Sequence, residues 1–282
     1  MRFQFGAPIV RNVIVAIGLG AGVAACTGGS SDTPSFGSMA IDPAAGSTAN
    51  ISSLTAAIQR DPQNAANYNV RGTALGQAGR YDEALQDFSM AIQLNPGFYQ
   101  AFSNRALIYR QKENPQAALA DYNQAISLNA SYAPAYLGRG VLYRQSGQLD
   151  YAMADFNQAI TFNTSDAKPY YNRALIYQKQ NNHVRAVADL DTAIALDSNS
   201  SEPYNARGLS LMQLGKLKDA LTDFSAAVNR NKQSAEFWTN LGIVEIRTGD
   251  VSRGRDALNR ALILKPGYGP ALEALHNEKP MS

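Results

Sequence analysis

The hexapeptide Asn104-Arg-Ala-Leu-Ile-Tyr109 occurs a second time, unchanged, as Asn172-Arg-Ala-Leu-Ile-Tyr177. An aromatic residue stands two positions before each copy, and an aromatic recurs every 34 residues without insertion or deletion. Its six occurrences are Tyr68, Phe102, Tyr136, Tyr170, Tyr204 and Trp238. A period of this length is the signature of a repeat architecture, in which each unit buries its apolar face against its neighbours.

Each 34-residue unit, counted from Ala65 as position 1, places small and large residues at fixed positions. Position 20 is Ala84, Ala118, Ala152, Ala186, Ala220 and Gly254, position 27 is alanine six times from Ala91 to Ala261, and position 24 is Phe88, Tyr122, Phe156, Leu190, Phe224 and Leu258. Small residues let two helices approach closely, and large residues fill the remaining space. The pattern resembles the tetratricopeptide repeat (TPR). The resemblance implies an all-α solenoid of helical hairpins wound as a right-handed superhelix.

The segments on either side of the six repeats (65–268) continue their register. Ile51–Pro62 matches a second helix of the repeat, so we expect a lone N-terminal helix within residues 50–64. Pro270–Leu275 matches a first helix, so residues 269–282 are predicted to be a C-terminal capping helix and tail. Terminal units of solenoids are atypical because one of their sides faces water.

The N-terminus has the pattern of an export signal. Arg2 and Arg11 precede an apolar run from Val13 to Ala25, which is too short to span a bilayer as a helix. We therefore interpret residues 1–25 as a signal peptide. Residues 26–49 are rich in Ser, Gly, Thr, Ala and Pro and are predicted to be a flexible tether.

The run ends in Val23-Ala24-Ala25-Cys26, which resembles the lipobox of bacterial lipoproteins. The resemblance implies that Cys26 receives lipid and becomes the N-terminus, which anchors the protein at the periplasmic side of a bacterial membrane. Thr27 rather than Asp follows the cysteine, which favours the outer membrane under the enterobacterial sorting rule. The alternative is an ordinary signal peptide followed by an unmodified cysteine.

Composition argues against several classes of function. The chain has 25 basic and 23 acidic residues, and the excess lies in the N-terminal segment, so the neutral body offers little attraction to nucleic acid. One cysteine and two histidines leave no basis for a disulfide or a metal centre. No phosphate loop, nucleophile elbow or His-Glu-x-x-His motif is present, so we expect neither a cofactor nor catalysis.

Two charged positions vary together along the repeats. Position 7 is Arg71, Arg105, Arg139, Arg173 and Arg207, and position 23 of the same repeats is Asp87, Asp121, Asp155, Asp189 and Asp223. The sixth repeat has Leu241 and Ala257 instead. Joint presence and joint loss favour an ion pair within each repeat, and the alternative is a row of arginines that binds an acidic ligand.

The resemblance also implies a ligand groove on the concave face, which first helices line in this family. Position 9 forms a nearly continuous apolar stripe, with amide and basic side chains beside it. The predicted peptide-binding groove comprises Asn104, Leu107, Arg110, Val141, Arg144, Lys168, Asn172, Leu175, Leu209, Asn240 and Ile243. An apolar seam beside such groups suits an extended peptide or an amphipathic helix. The alternative is that position 9 packs against the next repeat.

Together these patterns predict a lipid-anchored scaffold that binds envelope proteins or peptides and performs no chemistry. TPR lipoproteins of the NlpI type, which dock peptidoglycan hydrolases and proteases, share the lipobox and the string Arg139–Tyr143. Lipoproteins of the pilotin or pilus-assembly type share the lipobox and about six tandem repeats. The first resemblance implies a role in envelope assembly or peptidoglycan remodelling, and the second a role in pilus or secretion assembly.

Overall fold

The computed structural model describes residues 46–277. The predicted signal peptide, Cys26 and most of the predicted tether lie outside the described residues, as does the C-terminal tail from residue 278. Within residues 46–277 the chain forms fourteen α-helices and no strand. None of these helices combines the length and the apolar character that crossing a membrane requires.

The helices alternate as first and second helices of hairpins, and the expected all-α solenoid is confirmed. The first helices are α2 (Ala65–Gln77), α4 (Tyr99–Gln111), α6 (Ala133–Gln145), α8 (Ala167–Lys179), α10 (Glu202–Gln213) and α12 (Ala235–Arg247). Their second helices are α3 (Tyr81–Leu94), α5 (Pro115–Leu128), α7 (Leu149–Phe162), α9 (His183–Leu196), α11 (Leu217–Arg230) and α13 (Val251–Leu264). Two helices without a hairpin partner flank them, α1 (Thr48–Arg60) and α14 (Gly269–Asn277).

The N-terminal helix begins slightly earlier than its apolar pattern predicts. Ser47 is its N-cap, because the hydroxyl oxygen accepts a hydrogen bond from the Asn50 amide at 3.2 Å. Thr48 and Ala49, which the sequence assigns to the tether, are therefore helical. A hydroxyl at the N-cap satisfies a backbone donor that the helix itself leaves unpaired.

The turn inside each hairpin requires a left-handed backbone at position 15. Glycine meets this requirement in four repeats, for example with φ +78° at Gly147. The second and fourth repeats adopt the same conformation with Glu113 at φ 55° and Asn181 at φ 57°. Since only glycine enters this region without steric cost, the two side-chain-bearing residues carry local strain.

The core lies between the two helices of each hairpin. The residues at positions 20, 24 and 27 are buried in all six repeats, with Phe88, Phe156 and Phe224 fully enclosed. At position 8 the two helices of the hairpin approach each other closely. A methyl group added to Gly140 of α6 would lie 2.7 Å from the Phe156 ring of α7. The spacing of small and large residues in the sequence thus corresponds to the packing in the structure.

Candidate binding groove

The first helices line the concave side of the solenoid. Consecutive first helices contact one another, from α2 with α4 to α12 with α14. Within residues 46–277, consecutive second helices have no such contacts and instead pack on the first helix that follows. Helices that approach each other more closely lie on the inner side of a curved stack. The groove therefore runs across α2, α4, α6, α8, α10 and α12.

The predicted Arg–Asp pairs exist in all five repeats, in one shared geometry. In each pair the Nε and Nη2 of arginine donate to the two carboxylate oxygens of aspartate. For Arg139 and Asp155 the distances are 2.8 and 2.7 Å. Each aspartate side chain is nearly buried, and the hydrogen bonds raise the pKa of the arginine. The pairing predicted from the sequence is confirmed.

The same arginines also bind the preceding repeat, which the sequence analysis missed. The Nη1 of Arg139 donates to Asn123 Oδ1 at 2.7 Å, and the Nη1 of Arg207 donates to Asp191 at 2.6 Å. The acceptors all stand at position 25 of the repeat before, namely Thr55, Ser89, Asn123, Asn157 and Asp191. Each arginine thus joins two second helices through one first helix. Because these hydrogen bonds occupy the guanidinium groups inside the protein, they favour a structural role for the five arginines over the alternative that the arginines bind an acidic ligand.

The apolar residues at position 9 are half-buried rather than fully exposed. Val141 packs beside the cluster around Phe156, Leu175 beside Leu190, and Ile243 beside Leu258. Leu107 is half-buried as well, and Leu209 is exposed at 36%. The stripe therefore lies at the boundary between the core and the groove.

Position 10 carries the contact between repeats. Ile108, Ile176 and Val244 are almost completely buried there, as are Ala74, Leu142 and Ser210. Ile108, Ile176 and Val244 each belong to a core cluster that contains residues of the preceding repeat, so the residue after the stripe packs against that repeat. The signal for this in the sequence was an apolar residue at position 10 in five of the six repeats.

The three predicted groove asparagines use their amide donors inside the solenoid. Asn104 donates to Asn69 Oδ1 at 3.0 Å, and Asn240 donates to Asn205 Oδ1 at 2.8 Å. These bonds cross from one first helix to the preceding one. Asn172 is buried and donates to the Lys168 carbonyl at 2.9 Å. Their role in the described structure is to connect or brace the first helices.

A fourth amide, that of Gln178, performs the same task toward the following repeat. Gln178 Nε2 donates to the Ala206 carbonyl at 2.6 Å and to Ser210 Oγ at 2.8 Å. Gln178 stands at position 12, where the second and third repeats have Arg110 and Arg144. The Gln178 side chain therefore extends along the first-helix face toward the next repeat.

The predicted basic residues of the groove lie in the second to fourth repeats. Arg110, Arg144 and Lys168 are each half-buried. The Nε of Arg110 is buried and has no hydrogen-bond partner within the described part of the chain. Burial lowers the pKa of Lys168, and the nearby charge of Arg110 acts in the same direction, while Asp166 and Asp197 oppose the shift.

The described residues contain no group of three or more His, Cys, Asp or Glu side chains placed to hold a metal ion. His183, at the start of α9, is half-buried with Nδ1 unpaired within residues 46–277. The first-helix face combines half-buried apolar surface, amide groups and cationic side chains.

Family models of the repeat match most of the helical region. Models described as "Tetratricopeptide repeat" match residues 65–98, 99–132, 167–200 and 205–269, and one described as "TPR repeat" matches residues 140–181. A curated relative is the tetratricopeptide repeat and J domain-containing co-chaperone DNJ1 of Cryptococcus neoformans, 49% identical over 45 residues. That match spans 16% of this chain and only 9% of the relative.

Solved structures share the fold over longer spans. YrrB, described as a TPR protein with an unusual peptide-binding site, is 25% identical with a TM-score of 0.55, and the match covers 67% of this chain and 97% of YrrB. PilF of Pseudomonas aeruginosa is 16% identical with a TM-score of 0.71, over 78% of this chain and all of PilF (100%). The chain in the Cut9–Hcn1 hetero-tetramer of the APC/C is also 16% identical, with a TM-score of 0.73, over 82% of this chain and 46% of that one. The likenesses to PilF and to the chain of the Cut9–Hcn1 assembly concern the fold alone.

The repeat matches together cover more than half of the sequence, and the chain therefore belongs to the tetratricopeptide-repeat family.

Proposed function

We propose that this protein is a lipid-anchored scaffold that binds a protein or peptide segment along the concave first-helix face. TPR proteins are generally non-catalytic scaffolds for protein binding. The observation that carries the proposal is the state of the position 9 stripe, whose side chains are half-buried or, at Leu209, exposed on a face that the second helices do not cover. Partial exposure of apolar side chains in a row offers surface that a ligand can bury.

The likeness to YrrB supports a peptide or an extended protein segment as the ligand. YrrB is matched over nearly its whole length and is described as having a peptide-binding site. The ladder of Arg–Asp pairs adds a physical reason, because it fixes the spacing of consecutive repeats. A rigid groove binds an extended segment without a large cost in protein ordering.

The lipobox sequence supports the location that we propose. Lipid on Cys26 would hold the protein at the periplasmic side of a bacterial membrane, with Thr27 favouring the outer membrane. Several acyl chains together anchor a protein stably, whereas one chain alone is marginal. Residues between Cys26 and the first described helix would serve as the tether. Envelope proteins in assembly or in peptidoglycan remodelling are then the accessible partners.

A second candidate is a role in pilus or secretion assembly of the pilotin type. The feature that favours it is the combination of a lipobox with six tandem repeats in a chain of this length. Both candidates use the same groove and the same anchor. They differ in the partner.

A site-specific crosslinking experiment in the cell envelope tests the proposal. A photo-crosslinking amino acid replaces Leu209, which is the exposed member of the stripe, or Gln158 on the outer face of α7 as the matched control. We expect discrete protein adducts from position 209 and none of the same size from position 158. Equal adducts from both positions, or none from position 209, would contradict a binding groove on the first helices.

A further inference from the structure

The N-terminal helix α1 has one face that the described chain leaves uncovered. In the six repeats, each second helix packs on the first helix of its own hairpin, and the residues at positions 24 and 27 are almost completely buried. α1 continues this register with Leu54 at position 24 and Ala57 at position 27. Both are only half-buried, because within residues 46–277 no first helix of the same hairpin precedes α1. The face on which such a helix would pack is therefore partly open to solvent.

The adjoining side of α2 is uncovered as well. Position 6 of a first helix adjoins the preceding first helix, as the hydrogen bond from Asn104 to Asn69 shows. The residue at position 6 is buried or half-buried in the last five repeats. In the first repeat this residue is Val70, and it is 49% exposed. An aliphatic side chain is thus left in solvent at the place where later repeats contact the first helix before them.

A cavity of about 210 Å³ lies where α1 and α2 meet. An apolar cavity of about 150 Å³ can hold a benzene molecule, so this one has room for a large aliphatic side chain. The Oε1 of Gln77, which is one of the lining residues, is buried and has no hydrogen-bond partner within the described residues. A buried acceptor without a donor costs free energy. The residues that line the cavity are Asn50, Asn69, Val70, Thr73, Ala74 and Gln77.

The cavity and the uncovered face of α1 form one surface. Asn50 lines the cavity, and Leu54 lies one helical turn further along the same side of α1. We call the combination the α1–α2 surface, and it consists of Leu54 and Ala57 together with the cavity residues. It offers apolar contact area and one unsatisfied acceptor.

The chain itself enters the structure beside this surface. Gly46 directly precedes Ser47, the N-cap of α1. A methyl group added to Gly46 would lie 3.1 Å from the backbone nitrogen of Ala78, which is the C-cap of α2. Ala78 directly follows Gln77. The residues before Gly46 therefore begin at the Gln77 end of the cavity.

The ten residues before Gly46 have side chains that fit the surface. The segment Phe36-Gly-Ser-Met-Ala-Ile-Asp-Pro-Ala-Ala45 has three large apolar side chains and a single charge. Met39 and Ile41 precede Gly46 by seven and five residues, which corresponds to a reach of at most about 25 and 18 Å. The stretch of α2 from Asn69 to Gln77 is about 12 Å long. Both side chains are thus within reach of the cavity.

We propose that residues 36–45 of this chain bind to the α1–α2 surface, with Ile41 in the cavity, Met39 on Val70 and a backbone N–H of the segment donating to Gln77 Oε1. A covalently attached segment is favoured over a separate molecule, because its effective concentration at the surface is high. The inference goes beyond the proposed function and requires neither the lipid anchor nor a ligand in the groove.

Binding of this segment has two consequences for the scaffold. Position 9 is apolar in the second to sixth repeats, but it is Thr73 in the first repeat, where it lines the cavity. The segment would therefore occupy the first-repeat end of the concave face, and the apolar stripe open to a ligand would begin at Leu107. In the lipid-anchored form the tether would be shortened to residues 26–35.

Amide hydrogen exchange of residues 36–45 in the full-length protein tests the proposal. Val70→Asp places a carboxylate on the surface, opposite the apolar side chains of the segment. Val184→Asp is the matched control, because it makes the same change at a valine that is 68% exposed on α9. Ile41→Ser changes the segment and leaves the surface intact. Since Val70 and Val184 are both exposed, neither change removes a core contact.

We expect the amides of residues 36–45 to exchange at least about tenfold more slowly in the wild type than in Val70→Asp or Ile41→Ser. Burial of one large aliphatic side chain shifts an equilibrium by at least this factor. The control Val184→Asp should retain the slow exchange of the wild type. Slow exchange should also be independent of protein concentration, since the segment and the surface belong to one molecule.

Four results would overturn the proposal. The first is exchange in the wild type as fast as in Ile41→Ser, and the second is slow exchange that persists in Val70→Asp. The third is loss of slow exchange in Val184→Asp, which would show an unspecific effect of the added charge. The fourth is slow exchange that is lost on dilution, which would identify a second copy of the chain as the partner of the segment. The crosslinking result at position 209 tests the proposed function separately, so the two can fail independently.

Discussion

Arg139 and Asp155 face each other across one hairpin and are joined by two parallel hydrogen bonds, Nε to Oδ2 at 2.8 Å and Nη2 to Oδ1 at 2.7 Å. The side chain of Asp155 is only 6% exposed, and that of Arg139 is 20% exposed. The remaining arginine nitrogen, Nη1, reaches Asn123 of the preceding repeat. One residue thus holds three helices in register, and the arrangement recurs in five repeats.

The first prediction concerns this pair. Arg139→Leu alone should lower the free energy of unfolding by about 3 kcal/mol, because it leaves a nearly buried carboxylate without a partner. Arg139→Leu combined with Asp155→Ala copies the Leu241 and Ala257 of the sixth repeat, both of which are buried there. The double variant should recover much of the loss in a denaturant titration. A double variant no more stable than the sum of the single effects would show that the two residues are not coupled.

The second prediction concerns the strained turn. Glu113→Gly should stabilise the protein by about 1 kcal/mol, because Glu113 adopts a left-handed backbone conformation. Four other repeats have glycine at this position. The side chain of Glu113 is exposed, so its removal uncovers no core. The reverse change, Gly147→Glu, should destabilise by a similar amount. If both variants unfold at the same denaturant concentration as the wild type, position 15 carries no strain.

The third prediction concerns the close approach at position 8. Gly140→Ala should destabilise the protein by about 1–3 kcal/mol, since its methyl group would lie 2.7 Å from the Phe156 ring. In the fourth repeat the same two positions hold alanine and leucine, Ala174 and Leu190, and both are fully buried. Adding Phe156→Leu to Gly140→Ala should therefore restore part of the stability. Additive losses in the double variant would contradict this account of the packing.

The sequence predicted those parts of the structure that depend on spacing inside one hairpin. The 34-residue period located the six hairpins, and joint variation of positions 7 and 23 identified pairs such as Arg139 and Asp155. Both depend on residues that the sequence places at fixed intervals. The helical bounds differ from the prediction at α1 because a single hydroxyl, that of Ser47, sets where this helix starts.

Contacts between repeats were harder to predict. The second partner of each ladder arginine lies in another repeat and varies among Thr, Ser, Asn and Asp, so no single residue type marked it. Gly138 is a further case: a methyl group there would lie 2.2 Å from Tyr122 of the preceding repeat, where other repeats tolerate asparagine. Two of the three groove asparagines followed the same rule, since Asn104 donates to Asn69 and Asn240 donates to Asn205 of the neighbouring helix. Such pairs depend on the angle between hairpins, which the period alone does not specify.

The fourth prediction concerns the anchor. Cys26→Ala should abolish labelling by a radioactive or clickable fatty acid and leave unprocessed precursor, because the thiol is the acceptor of the lipid in the lipobox interpretation. Thr27→Ala serves as the control and should be labelled as the wild type is. Membrane fractionation and gel mobility measure the outcome. Normal processing and membrane binding of Cys26→Ala would refute lipidation at this residue.

The fifth prediction separates the groove from the core inside one repeat. Leu175 and Leu190 are both in the fourth repeat and pack in the same cluster, but Leu175 is half-buried whereas Leu190 is fully buried. Leu190→Ala should cost about 2–5 kcal/mol of stability through the cavity it leaves. Leu175→Asp should cost less stability, because its carboxylate can turn toward the solvent of the groove. On ligand binding, Leu175→Asp should have a larger effect than Leu190→Ala, a loss of affinity of about thirtyfold, since interface anchors commonly contribute 2 kcal/mol or more.

Denaturant titrations and binding of a peptide selected on the wild-type protein, measured on both variants, give the comparison. If Leu175→Asp unfolds the protein as severely as Leu190→Ala does, position 9 belongs to the core, and the apolar seam of the groove would have to be formed by other residues.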